Sequence, residues 1–340
     1  MERYLKSRYK IGEQLSDNPF SATYRGSFIG TNKPVVIKIY KRGTLNSSLI
    51  NRMKQKVREL SLIKHHGLAK LIDGDYGWQG FYYVREYIEG KSLEQLIQTG
   101  QMTGEKAAAI TLEICQAVQQ AHEKGIIHGA LKPNNIFIDA KGIVKVADFV
   151  IEGEIKEAMP QKPISIMQNG KYISPEELSG NSATTSSDVY ALGLLLLEML
   201  AGQNFKIEGS LAGGLRKMRE GGLFDRQTIS HQPRYLIDLV NRAVQVDPLL
   251  RFRSISEFKQ SLENHAIVTA KPKHEEFIRI FESSVSSFGD DGLRHDSEEL
   301  ADLGKVRLRW GKENHRHWIL VVVLLLAVLS GIIYAFIFGI

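Results

Sequence analysis

The sequence predicts an α+β domain of roughly 250 residues, followed by one C-terminal transmembrane helix. Three observations carry this expectation within the 340 residues of the chain. Residues 34–40 form an apolar run suited to a buried strand. Residues 187–200 open on Ser187-Asp188 and continue as an apolar helix through Leu200. Residues 318–340 carry no charge at all. About 22 residues at ~1.5 Å rise span ~33 Å, enough to cross a hydrocarbon core.

Short motifs follow one another along the first part of the chain. Val36-Ile37-Lys38 places a lysine inside the first apolar run. Tyr83-Val84-Arg85-Glu86-Tyr87-Ile88-Glu89-Gly90 comes next, then His128-Gly129-Ala130-Leu131-Lys132-Pro133-Asn134-Asn135. Asp148-Phe149-Val150 follows Val144-Lys145-Val146-Ala147. Ser174-Pro175-Glu176, the Ser187–Gly193 stretch, and Asp247-Pro248 with Arg251 complete the series. In order and interval this set resembles the protein kinase family, nearest the eukaryotic-like Ser/Thr kinases. The resemblance covers roughly residues 9 to 265 and implies a two-lobed protein-kinase-like fold. A small β-rich lobe is expected at about 9–87 and a large helical lobe at about 88–265, after an N-terminal extension at 1–8.

The resemblance also assigns roles. Lys38 matches the strand lysine that grips the α- and β-phosphates, and Glu86 and Ile88 match the hinge that receives adenine. Asn135 and Asp148 match the magnesium ligands, so ATP and Mg²⁺ are the implied cofactors. Lys132 matches the lysine beside the transferred phosphoryl, and Arg251 the partner of Glu176. Retained Asn135 and Asp148 fit two roles equally: holding a metal ion, or tying the loop and capping the next turn.

Departures from the pattern bear on function. The usual loop reads H-R-D-L-x-x-x-N, with Asp accepting the substrate proton. Here Gly129 and Ala130 stand at the second and third positions, and a methyl group takes no proton. A positioned general base contributes on the order of 10²–10⁴-fold. The Gly-rich loop is replaced by Ser16-Asp17-Asn18-Pro19-Phe20-Ser21-Ala22-Thr23-Tyr24. It has lost the glycines that let backbone N–H groups approach phosphate, and one donor to proline. The loop is expected to act as a hairpin over the cleft. The family's spacing puts Lys56 where the partner of Lys38 belongs, leaving Glu59, one turn on, for a shifted pair. Arg85 occupies the back of the adenine pocket, where a guanidinium needs an anion, and Asp148 is the expected one. With Gly129 in place of arginine, phosphorylation of Ser165 would lack its usual receiver.

Outside that domain, residues 266–317 are expected to be a linker with a basic juxtamembrane segment. Its serine cluster at 283–287 and later acidic residues favour solvation, while Phe277, Phe281, Val285 and Phe288 recur at helical spacing. Lys305, Arg307, Arg309, Lys312 and Arg316 precede the span, as a cytoplasmic flank requires. With no apolar N-terminal run, the expectation is a single-pass, tail-anchored membrane protein with its kinase-like domain facing the cytoplasm. The single Cys115 excludes an intramolecular disulfide and reads as core packing. The net charge of +6 gathers in the small lobe, where residues 41–64 carry seven basic side chains against Glu59 alone. Without interleaved stacking aromatics this reads as a solvated face, and nucleic acid is not an expected partner. The whole predicts a membrane-tethered pseudokinase that binds an unidentified cytoplasmic protein. The alternative is a weak or unconventional Ser/Thr protein kinase using ATP and Mg²⁺.

Overall fold

Alternation along two central strands decides what faces the cleft. The structure, a computed structural model, describes residues 3–149, 170–202 and 226–266. By contacts the chain divides into residues 1–283 and 284–340, and the second unit lies wholly outside the described residues. The expected linker and membrane span, Val150 and Ser165 also lie outside them.

Residues 3–86 build an antiparallel six-stranded sheet in the order β1-β2-β3-β4-β6-β5. Its strands are β1 Arg3–Leu5, β2 Tyr9–Asp17, β3 Ser21–Phe28, β4 Pro34–Lys41, β5 Leu71–Gly77 and β6 Gly80–Glu86. The segment expected to be an N-terminal extension therefore contributes the edge strand β1, in register with β2 through Leu5↔Tyr9. The expected strand at 34–40 is β4, buried from Val35 through Tyr40. Because side chains alternate, Val35, Ile37, Ile39, Tyr82 and Val84 enter one apolar cluster with Tyr9 and Ile11. Tyr40, Phe81 and Tyr83 enter the other, shared with the large lobe. The same alternation sets Lys38, Tyr83 and Arg85 on that second face, with Lys38 opposite Tyr83 in register.

Helix α1 (Ser47–Ser61) is capped by the Asn46 side chain, which accepts from Leu49 N. Its Leu49, Met53, Val57 and Leu60 are buried, an apolar stripe at helical spacing. Gly74 of β5 makes the close approach possible, since a Cβ there would lie 2.9 Å from Val57 Cγ1. The turn after α1 is sewn to the large lobe. Val146 N donates to Gly67 O at 2.8 Å, and Ala69 N donates to Val146 O at 2.9 Å.

The large lobe begins with β7 Gly90–Ser92, α2 Leu93–Gln98 and α3 Gly104–His122, then β8 Ile136–Asp139 and β9 Val144–Val146. β7, β8 and β9 form a small antiparallel sheet. α4 Pro175–Leu178, α5 Thr185–Ala201, α6 Arg234–Ala243 and α7 Ile255–Ala266 complete it. Every residue of α5 from Ser187 to Ala201 is buried, which explains its apolar character on all sides. α6 closes on α5 at Gly193, where a Cβ would meet Ala243 Cβ at 2.6 Å. Cys115 sits fully buried in α3, and burial pushes its thiol pKa up. Among the described residues no helix is long and apolar enough to cross a membrane.

The expected Arg251–Glu176 pair fastens this lobe. Arg251 is 1% exposed, and its two terminal nitrogens each donate to Glu176 at 2.8 Å. The remaining donors reach Gln245 O, Ser186 O and Val246 O, so no N–H is stranded. Burial alone would raise the Glu176 pKa, but the Arg251 hydrogen bonds and charge outweigh it and hold the carboxyl below its ordinary range. Glu176→Gln should therefore unfold earlier in urea at pH 7, by about 3–5 kcal/mol for a broken buried pair. A depressed folded pKa gives stability that is present above the unfolded value, near about 4.3, and lost as pH falls through the folded one. The gap between wild type and Glu176→Gln should therefore narrow below pH ~4. A gap that stays constant well below that pH would contradict the assignment.

Candidate functional site

The loop at 128–135 is assembled around Asp188, which is 1% exposed at the start of α5. Its carboxylate accepts His128 N at 2.7 Å, Gly129 N at 2.8 Å and His122 Nε2 at 2.7 Å. Gly129 has φ +67°, a left-handed backbone that glycine adopts without a Cβ clash. His128 is fully buried. Its Nε2 faces Ala147 O at 3.1 Å, and its Nδ1 accepts Ala130 N at 3.2 Å, the pattern of a neutral ring. The ring packs 4.2 Å from Phe149. His128 is thus structural, as its sequence context implies. Asn135 is buried, and its Nδ2 donates to Ala130 O at 2.9 Å. Of its two expected roles, the loop-tying one is made. Lys132 lies half-buried at the same turn. The scaffold stands, and at its centre is the Ala130 methyl.

Asp148 follows β9 in a left-handed backbone, φ +61°, which is uncommon outside glycine. Tyr83 Oη donates to its Oδ1 at 2.8 Å, and Arg85 Nε reaches the same oxygen at 3.0 Å. The expected Arg85–Asp148 pair is therefore made. Sequence reasoning missed Tyr83, although its position two residues before Arg85 on one strand put both on one face. Burial, then the Asp148 charge, drive the Tyr83 phenol well above its ordinary pKa. Lys38 is buried beside them, its Nζ 5.7 Å from the Tyr40 ring centre. Glu59, the expected shifted partner of Lys38, is exposed and instead accepts Gln55 Nε2 at 2.8 Å.

The expected adenine-binding stretch is engaged internally. Glu86 O accepts Arg85 Nη1 at 3.2 Å, and Glu86 N donates to Lys70 O at 2.9 Å. The Glu86 carboxylate pairs with Lys145 at 2.7 Å. Ile88 is buried. Above the cleft, the β2–β3 turn satisfies its own donors. Asn18 Oδ1 accepts Phe20 N at 2.9 Å and Ser21 N at 2.8 Å, an Asx turn. Asp17 pairs with Lys41 at 2.8 Å. These are amides that a phosphate-binding loop would offer to its ligand, so the hairpin expectation holds.

Magnesium–ATP does not fit these residues as they are arranged. Asp148 Oδ1 already accepts two donors, one of them a cation, and an incoming metal ion would be repelled by Arg85. The turn offers no open nest of amides.

Known proteins share the fold and the family of this chain. The protein kinase domain family matches residues 9–263. A probable serine/threonine-protein kinase of Clostridium perfringens is 28% identical over 264 residues, 77% of this chain and 38% of the relative. The probable kinase PknB of Lactococcus lactis is 30% identical over 256 residues, 74% of this chain and 40% of the relative. PrkC of Bacillus subtilis is 25% identical over 347 residues, 98% of this chain and 53% of the relative. The chain thus spans about two fifths to one half of these relatives. The crystal structure of Rad53 1-466 in complex with AMP-PNP aligns with a TM-score of 0.62 at 20% identity, covering 74% of this chain and 63% of the crystallised one. That likeness is one of fold. By its ordered motifs, its two lobes and the family match across residues 9–263, the chain belongs to the protein kinase domain family.

Proposed function

We propose that the chain is a membrane-tethered pseudokinase, a kinase-fold module that regulates or scaffolds a cytoplasmic protein partner. The observation that carries this reading is Ala130 held inside an otherwise assembled catalytic loop. The bonds from Asp188, His128 and Asn135 are all made, so the missing carboxylate is not a symptom of a collapsed loop. The Asx turn and the pairing of Asp148 extend the loss from the base to the positioning of nucleotide, on which phosphoryl transfer mainly depends. These contributions act as a unit. Residues 318–340 supply the tether, with Trp310, Trp318 and the preceding basic residues at the cytoplasmic interface. Two lobes sharing one cleft provide an element that a partner can bias.

A second reading is a weak or unconventional Ser/Thr kinase. It is favoured by the retained Lys38, Lys132, Asn135 and Asp148, and by relatives named as serine/threonine-protein kinases.

Restoring the base separates the two. In a radiolabelled ATP assay with generic protein substrates, Ala130→Asp is expected to stay at background, because nucleotide positioning is also lost. A gain approaching the ~10²-fold or more that a base supplies would favour the second reading. The tether makes its own prediction. The full chain should remain with membranes after alkaline carbonate extraction, and deletion of 318–340 should release it. Extraction of the full chain would rule the span out.

A further inference from the structure

Asp148 is nearly enclosed, its side chain 14% exposed and that of Arg85 7% exposed. A carboxylate in such a place needs an opposite charge and filled hydrogen bonds. We infer that Arg85 is the resident cation of this cleft, standing where the family's fold would set a divalent metal ion at Asp148. This deepens the pseudokinase reading and rests on it.

Arg85 is fixed on several sides, as a structural cation must be. Its backbone lies in β6, paired with Val36 of β4 and Leu71 of β5. Nε holds Asp148 Oδ1, and Nη1 holds Glu86 O. The guanidinium lies 5.2 Å over the Phe137 ring, within cation–π range. Tyr83 fills a further lone pair of the same carboxylate oxygen. Beside the pair is a cavity of about 20 Å³, lined by Leu60, Leu68, Tyr83, Arg85, Asp148 and Phe149.

The consequence is conformational. A left-handed Asp148 persists only where its surroundings over-determine it. The Arg85 and Tyr83 bonds do so without nucleotide, and Phe149 stays seated on His128, 4% exposed. This part of the cleft therefore does not need nucleotide loading to assemble.

The test uses the full chain in detergent, with Mn²⁺ alone and with ADP. The readouts are the thermal midpoint and the electron paramagnetic resonance signal of free Mn²⁺. Wild type should leave both unchanged. Arg85→Met should melt roughly 10 °C lower, recover part of that loss as Mn²⁺ rises, and deplete the free-ion signal. Arg85→Met/Asp148→Asn, which removes the unpaired carboxylate, should melt above Arg85→Met and ignore Mn²⁺. If Arg85→Met does not fold, Arg85→Gln keeps a donor toward Asp148 and is read by the same signal. An Arg85 variant that melts lower yet ignores Mn²⁺ would overturn the resident-cation role and leave the pseudokinase reading standing. Mn²⁺ binding by wild type would instead remove the reading beneath it.

Discussion

A carboxylate at the seam between two lobes has to be neutralised, and much else in this cleft follows from how that is done. Asp148 emerges from β9 with a strained backbone and meets Tyr83 and Arg85 from the opposite lobe. An ion-mediated junction would couple the state of the cleft to nucleotide and metal supply. A guanidinium covalently fixed in β6 removes that dependence. The same side chain takes Glu86 O, so one substitution changes both the back of the adenine pocket and its rim.

On the pseudokinase reading, frame and chemistry separate in this chain. The interactions that hold the large lobe together are all made: Arg251 on Glu176, Asp188 on the catalytic-loop amides, and His128 on Ala147 O. Each satisfies buried groups whose exposure to an empty partner would cost several kcal/mol. The groups that would touch substrate or phosphate answer to no such constraint. Ala130 leaves no buried donor orphaned, because Asn135 bonds the backbone oxygen of residue 130. Loss of the side chain there is cheap in stability and expensive in chemistry. The Asx turn of Asn18 likewise supplies internally the acceptors that a phosphate would have supplied.

Most of this was legible in the sequence where a residue's chemistry forces its surroundings. A buried arginine demands an anion, so Arg85 pointed to Asp148, while the family resemblance paired Arg251 with Glu176. The loss of all three loop glycines, with a proline between them, pointed to a hairpin over the cleft. Less legible was whatever depended on the partner strand or on rotation about a helix. Tyr83 passed as part of an apolar strand, because its hydroxyl matters only when Asp148 sits opposite. Glu59 was near enough in sequence to serve Lys38, yet α1 buries the 53/57/60 stripe and turns Glu59 outward. β1 was unreadable because three residues carry too little pattern to be distinguished from an extension; its strand character comes from pairing with β2.

The central claim is that this kinase fold holds its cleft without metal-bound nucleotide. Its most direct test is thermal unfolding of the full chain with ADP, with and without Mg²⁺. A ligand that binds only the folded state adds about 2.7 kcal/mol at a hundredfold excess over its dissociation constant, which a melting curve reads easily. The account predicts a midpoint that does not move at millimolar nucleotide, with or without the metal. A rise that requires Mg²⁺ would contradict it and place a working nucleotide site at Asp148.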